Sequence, residues 1–424
     1  MRGKGTRLVA AAAAAALALT ATVAAPTAAT TGWLDPTFNG RGWIRLAAHP
    51  SGSAGVLVVA AGPAGRTMVG REVSDDGFPD AQAIVLTPGG PPSQTFNGGA
   101  WRSFIGLSDS VQFTGFFATP GGGVLGAQGP DMDRVYRAVE LDATGAVVRS
   151  RDHALGSESF TTANLVRLPG GSLRTCYNEA ASGEDRLLGL TPTLQPDPAV
   201  GASGHREIPI PCTHVGSDTA GHLYLAHSGG ESADGTLQLL RTTTSGIVDM
   251  GWSSDGQTTV ARGGLGIDFP DESISGAPEF ATASSPIVAL SDGSLFIAAR
   301  VTRDALARNW SAAVIKLTPD GALDPTFDGD GIRAFGPAGG TSWILAMAVD
   351  AAGRPVISVV YDTASGRKAH LARLTADGRF DATFGRNGLV QQTFGASSVA
   401  IDASGRILTA AWDGTAVIVA RRNG

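Results

Sequence analysis

Apolar and polar residues alternate in short runs of about four to eight positions along most of the chain, interrupted by Gly, Asp, Asn and Pro. This period of two predicts half-buried β-strands rather than helices. One pattern, a Gly followed by alternating apolar residues, recurs as Gly65-Arg-Thr-Met-Val69, Gly122-Gly-Val-Leu125, Gly171-Ser-Leu-Arg174, Gly221-His-Leu-Tyr-Leu-Ala226, Gly293-Ser-Leu-Phe-Ile-Ala298, Gly353-Arg-Pro-Val-Ile-Ser358 and Gly405-Arg-Ile-Leu-Thr-Ala410. The seven copies are spaced by 57, 49, 50, 72, 60 and 52 residues. That interval is too regular for chance and too long for a solenoid coil of one or two strands, so each copy marks one supersecondary unit.

The clearest unit runs from Pro286 to Phe335. Pro286-Ile-Val-Ala-Leu290 reads as a short strand, Asp292-Gly293 as a tight turn, Ser294 to Val301 as a second strand and Ala312 to Leu317 as a third. A turn-rich segment with Phe327 as its one large apolar residue then leads to a fourth strand, Gly331-Ile-Arg-Ala-Phe335. Four short strands repeated seven times predict an all-β fold, a seven-bladed β-propeller. The termini agree. Leu34-Asp-Pro-Thr-Phe-Asn-Gly-Arg-Gly-Trp-Ile-Arg-Leu46 is the end of a unit without its first three strands, and Ser398 to Ile401, Arg406 to Ala411 and Ala416 to Arg421 are three strands without a fourth. Joining them completes a seventh blade and removes the open edge that β-sheets must otherwise protect.

Leu34-Asp-Pro-Thr-Phe-Asn-Gly40, Leu323-Asp-Pro-Thr-Phe-Asp-Gly-Asp-Gly331 and Phe380-Asp-Ala-Thr-Phe-Gly-Arg-Asn-Gly388 resemble the delta-60 repeats of secreted bacterial proteins. The match weakens at Ser93-Gln-Thr-Phe-Asn-Gly-Gly99, and between Val135 and Val260 only the strand pattern remains. The resemblance implies a propeller-like exported protein and brings no catalytic residues with it.

The first residues read as an address. Arg2, Lys4 and Arg7 precede an Ala-rich apolar stretch from Leu8 to Val23, too short and small-sided for a membrane span, which predicts a secretory signal over 1–29. Cleavage is expected after Ala29, with Ala25 as the other small-residue site, and 30–424 then forms the single propeller domain, released without a membrane anchor. Gly 58 and Pro 23 in 424 residues exceed the roughly 12 percent of average usage but stay below the 25 to 30 percent of disordered chains. Lys+Arg 32 against Asp+Glu 38 gives a net charge of -6, and loss of the signal makes it more negative still, which excludes nucleic acid as an expected partner.

If first strands line the channel, the Asp-Gly turns lie on one face of the ring and the second-to-third loops and blade connectors lie on the other. The long segments all fall on this second face, including a connector from Arg262 to Ser285. Variable loops on a rigid scaffold are where binding concentrates, which makes the loop-rich face the candidate site. Its loops carry Asp75 and Asp76, Asp131 and Asp133, Glu184 and Asp185, Glu231 and Asp234, Asp304, Asp362, and Asp413. Such an acidic rim suits a divalent cation or a cationic partner, or is simply the Asp content of solvated turns. Trp310, beside Arg308, is either a platform for a sugar ring or a packing residue.

No Gly-x-Ser-x-Gly elbow, His-Glu-x-x-His or phosphate loop is present. Gly121 to Gly126 matches a dinucleotide fingerprint in letters only, since it enters a strand. Neither metal nor cofactor is expected. The reading favoured is a secreted, non-catalytic binding or scaffold module for a glycan, cell-wall polymer or protein. The alternative is a secreted polysaccharide hydrolase or lyase using Asp271, Glu272 and His227. Cys176 and Cys212, sent to an oxidising compartment, predict a disulfide. Two buried thiols, or a zinc site with His205 and His214, are the rivals.

Overall fold

The computed structural model describes residues 31–50, 55–75, 78–105, 113–129, 135–155, 159–179, 183–228, 235–262, 266–270, 285–302, 310–336 and 340–424. The expected signal segment lies outside them. Seven antiparallel sheets form a ring of seven blades, and among the described residues the only helical pieces are two short 3-10 turns, Pro63–Gly65 and Asn97–Gly99. Blades one to six begin at Leu57, Phe113, Ser159, His214, Ile267 and Thr341, and blade seven at Ala396. Second strands are buried along most of their length, as Leu295–Thr302 is throughout, because a blade covers them on either side.

Blade seven closes as the chain ends predict. Trp43–Leu46 pairs with the third strand Val417–Arg422, from Trp43↔Ala420 to Leu46↔Val417. Even the turn is rebuilt from both ends. The Asn423 amide donates to the Trp33 carbonyl (2.9 Å) and the Gly32 amide to the Asn423 carbonyl (2.7 Å), matching Thr87 to Pro91 (2.8 Å) and Gly90 to Thr87 (2.9 Å) inside the unbroken turn of blade one.

The Asp-Pro-Thr-Phe segment is a blade-to-blade joint. The carboxylates of Asp35, Asp324 and Asp381 each accept the amide and hydroxyl of the Thr two residues on, and each takes an ion pair from the third strand: Arg421 (2.8 Å), Lys316 (2.8 Å) and Arg373 (2.9 Å). The amide of the aromatic residue bonds back to the Asp carbonyl, at 3.0 Å for Phe38 and Phe327, and buries its ring against the next blade. The joint persists where its letters have decayed. In Pro196-Asp-Pro-Ala-Val200 and Val248-Asp-Met-Gly-Trp252, Asp197 caps Ala199 (3.0 Å), Asp249 caps Gly251 (3.1 Å), and Val200 and Trp252 occupy the anchor position.

Blade two lacks the joint. Five residues separate its third and fourth strands where blades one and three to six have thirteen to fifteen. Its outer strand, Val147–Ala154, has eight residues where every other blade has four.

One expectation is corrected. The long segment near 262–285 does not precede the first strand of blade five but interrupts it. Ile267–Asp268 pairs with Val301 and Arg300, the chain leaves, and Ile287–Ala289 returns to pair with Ile297 to Leu295.

Cys176 and Cys212 form the expected disulfide, with Cα atoms 6.1 Å apart, joining the second strand of blade three to the entry of blade four. Both residues are buried. The bond excludes the free-thiol and zinc alternatives for this pair. Closing a loop of 36 residues restricts the unfolded chain, so Cys176→Ser with Cys212→Ser is expected to lower stability by roughly 2 to 4 kcal/mol. Urea unfolding of the double variant against the oxidised protein measures it, and coincident midpoints would contradict the expectation.

Candidate functional site

The two ends of the ring are built differently. First-to-second turns have five residues in six blades and four in blade four. Five of the seven carry an Asx or Thr cap, from Thr119, Asp218, Asp292, Asp350 and Asp402, and Asp350 and Asp402 also pair with Arg354 and Arg406 (both 2.7 Å). At the opposite end, second-to-third loops range from two to eight residues and blade connectors from three to ten. The strand framework thus holds one face constant and leaves the other free to differ from blade to blade.

Asp75 ends the second strand of blade one, opposite Phe78. Asp76, Asp131, Asp133, Asp271, Glu272 and Arg308 lie outside the described residues. Trp310 starts the third strand of blade five with 8% of its surface exposed, and the Arg300 guanidinium sits 4.4 Å from its ring centre. The indole offered by the sequence for stacking is therefore packed and covered by Arg300. Arg300 in turn pairs with Asp268 (2.8 Å), both buried. Trp101 is capped the same way by Arg71, at 3.9 Å.

The described rim carboxylates are committed to neighbours. Asp185 accepts the Cys212 amide (3.1 Å), Glu184 pairs with Arg186 (3.1 Å), and Asp362 faces Arg367 (3.5 Å). Asp413 pairs with Arg45 (3.1 Å); burial pushes its carboxyl upward, but bonds from Thr415 and Arg45 outweigh this and hold it at about 2.

The four clustered histidines separate. His205 bonds the Tyr177 hydroxyl (2.9 Å), His214 stacks on Phe269 (4.3 Å), and His222 bonds Asp218 on the turn face (2.7 Å). His227 lies at the loop-rich end of its strand in the field of Asp185 and Asp268, its Nδ1 shielded and without a partner. Among the described residues no group of three His, Cys, Asp or Glu side chains is arranged to hold a metal ion.

Burial is the first cause holding His153, His205, His227 and His370 below the ordinary histidine range; neighbouring positive groups add to it at His153, His205 and His370, and the Asp185 and Asp268 charges oppose it at His227. The folded chain therefore binds fewer protons than the unfolded chain near pH 6. Their contribution is complete above about pH 6.5 and is lost as pH falls through that value toward the folded pKa values. Calorimetry from pH 7.5 to 5.0 is expected to give a falling melting temperature. A rise would contradict the assignment.

The sequence missed Arg300, Asp268 and Trp343 as features of this face. The available signal was a lone Arg inside an apolar strand, which in a buried sheet requires an acidic partner.

A family model described as "Domain of unknown function (DUF5122) beta-propeller" matches residues 290–327 and 356–384, the parts of blades five and six that carry the two clearest joints. No curated protein matches the chain. Among solved structures, puromycin hydrolase superposes with a TM-score of 0.50 at 16% identity, over 91% of this chain and 53% of that one, so the chain spans about half its length. A putative gluconolactonase gives 0.36 at 14% identity, covering 90% and 98%. The Chaetomium thermophilum Sqt1 bound to the N-terminus of the ribosomal protein L10 gives 0.42 at 12%, covering 90% and 98%. At these identities the likeness concerns the fold.

Proposed function

We propose that the protein is an exported, non-catalytic binding module that takes a glycan or cell-wall polymer on the loop-rich face of its propeller. The observation that carries this is the contrast between the two faces: turns of four or five residues at one end, and loops of two to eight residues at the other. The described carboxylates of that face are spent on ion pairs and backbone amides, which favours recognition over acid–base chemistry. A buried disulfide supports export to an oxidising compartment. No helix among the described residues is long and apolar enough to cross a membrane. The three Asp-x-Thr-Phe copies keep the delta-60 likeness as part of this reading.

The test is retention of the secreted protein on insoluble cell-wall fractions and a glycan array. Replacing the second-to-third loops of blades four and five with the two-residue turn of blade six is expected to abolish retention, while substitutions at Pro88 and Gly89 on the turn face leave it intact. Equal retention by both sets of variants would overturn the assignment of the face. Release of reducing ends from a bound polysaccharide would overturn the non-catalytic reading in favour of the hydrolase.

A further inference from the structure

Each blade ends in an outer strand whose far edge has no neighbour within its sheet. In blade two that strand is Val147–Ala154, eight residues long where each other outer strand has four. Without the joint that shortens the other hairpins, it follows the whole third strand, from Val135↔Ala154 to Leu141↔Val147. Six of its eight side chains are exposed, against one in Trp43–Leu46 and none in Ile332–Phe335, so it stands clear of the blades on either side.

An open edge turns the N–H and C=O of about every second residue outward. Among the described residues, no backbone group of Val147–Ala154 bonds to the backbone outside its own sheet, and the one side chain that reaches these groups is Arg151, on the Ser150 carbonyl (3.1 Å). Such an edge invites another strand unless charge, proline or a bulge protects it. Here the register shift sits at Glu140/Leu141, beside the exposed Val147 and Val148, and Arg149 to Ala154 runs on regularly without proline.

The charges decide what fits. Opposed residues project to one side, so Arg149, Arg151 and His153 share the face of Glu140, Ala138 and Tyr136, while Ser150 and Asp152 lie on the other. Arg149 is held by Glu140 (3.1 Å), Asp152 by Arg137 (2.6 Å), and His153 is buried. Arg151 is exposed opposite Ala138, with only its neighbour's carbonyl. A second copy of the chain answers this poorly. A two-fold axis normal to the sheet pairs residues of the same face, so Arg151 would meet Arg149, Arg151 or His153 of the copy and never Asp152, and like charges directly opposed are destabilising.

We propose that the outer edge of blade two takes an extended peptide segment of a partner protein as a fifth strand, with a carboxylate side chain opposite Arg151 and apolar side chains against Val147 and Val148. Eight residues at about 3.3 Å each span roughly 26 Å, enough for a peptide of similar length whose main chain supplies affinity and whose side chains supply specificity. This surface lies on the side of the ring and is independent of the glycan reading of the loop-rich face.

The test uses the full chain and the blocked peptide acetyl-Thr-Thr-Glu-Thr-Thr-Val-Val-amide, which in antiparallel pairing sets its Glu against Arg151 and its valines against Val148 and Val147. A peptide with Lys in place of Glu is the control. Fluorescence anisotropy is expected to show the Glu peptide binding about fivefold to tenfold more tightly, the effect of one reversed charge contact. Arg151→Glu, at an exposed site, is expected to reverse the preference with an unchanged melting temperature. Amide hydrogen exchange is expected to slow along Val147–Ala154 on binding and not along the short outer strand Gln257–Val260. N-methylation of alternate peptide amides, made in both frames, is expected to abolish binding in one of them. Binding of neither peptide at millimolar concentration, a preference that Arg151→Glu leaves unchanged, or slowed exchange only elsewhere would each overturn the fifth strand. Protection of the strand without peptide, together with a dimer in light scattering, would give the edge to a second copy and overturn the acidic partner.

Discussion

A chain lacking residues 31–50 is expected to aggregate, or to melt far below the intact protein. The deletion leaves the third strand of blade seven, Val417–Arg422, as an open edge, a template for pairing with other chains. It removes Phe38, Ile44 and Leu46 from the core. It also takes Asp35 from Arg421, which is 1% exposed and bonded to that carboxylate at 2.8 Å. Loss of a core aromatic costs about 3 to 5 kcal/mol, and an orphaned buried charge costs about as much again. Whole-domain stabilities are only about 5 to 15 kcal/mol, so the remainder of the ring has little left. A second variant separates the strand from the position of the chain ends. Asn423, Gly424, Thr31 and Gly32 stand where Thr87, Pro88, Gly89 and Gly90 stand in blade one, with the Gly385 amide on the Thr31 carbonyl (3.1 Å) as the Asn39 amide is on that of Gly89 (2.5 Å). A direct peptide bond from Gly424 to Thr31, with the chain opened between Ala364 and Ser365, is therefore expected to give a monomer of nearly unchanged melting temperature. Light scattering and calorimetry decide both. A monodisperse, equally stable truncation would refute closure by this strand.

The ring and its closure were legible because they depend on features carried by the order of residues along the chain. A Gly with positive φ lies one or two residues before each second strand, and the two chain ends complement each other in strand count. The joints were legible only where Thr and Phe are retained. At Asp197 and Asp249 the cap needs just a carboxylate and the amide two residues later, and the anchor needs just apolar bulk, so Ala with Val or Gly with Trp serve as well. The loop-rich face could be found from segment lengths, but its chemistry could not. Which group covers a Trp depends on cross-strand register: Trp310 lies opposite Thr302, which brings Arg300 over its ring, and Trp343 lies opposite Val360 with Arg367 near its ring, and both indoles are buried. The split first strand of blade five was hidden for a related reason, since two residues of pairing at Ile267–Asp268 leave almost no periodic signal.

The second large effect is expected at the joints, and blade two supplies its control. The anchors of blades one, four, five and six lie against a turn glycine of the next blade with positive φ. On Gly321 (φ 86) the Trp252 ring would meet a Cβ at 2.8 Å, and on Gly378 (φ 86) the Phe327 ring would meet one at 3.2 Å. Blade two brings no anchor, and there the turn residue of blade three is Leu194, still at φ 62 but 1% exposed and packed with Leu173 and Leu190. The side chain that one blade lacks is supplied by its neighbour from the opposite direction, and the His153 ring on the Leu194 carbonyl fixes the turn. Phe327→Ala is expected to cost about 3 to 5 kcal/mol through the cavity it leaves. Leu194→Gly relieves left-handed strain worth about 1 kcal/mol yet is still expected to cost about 2 to 4, because the volume it vacates has no other occupant. Gly321→Leu, the same exchange where an anchor is already present, is expected to destabilise by overpacking against Trp252, and combining it with Trp252→Ala should recover part of the loss. Denaturant midpoints of these four variants and of Trp252→Ala alone test the scheme. It fails if Leu194→Gly is stabilising, or if the double variant is no better than the sum of its parts.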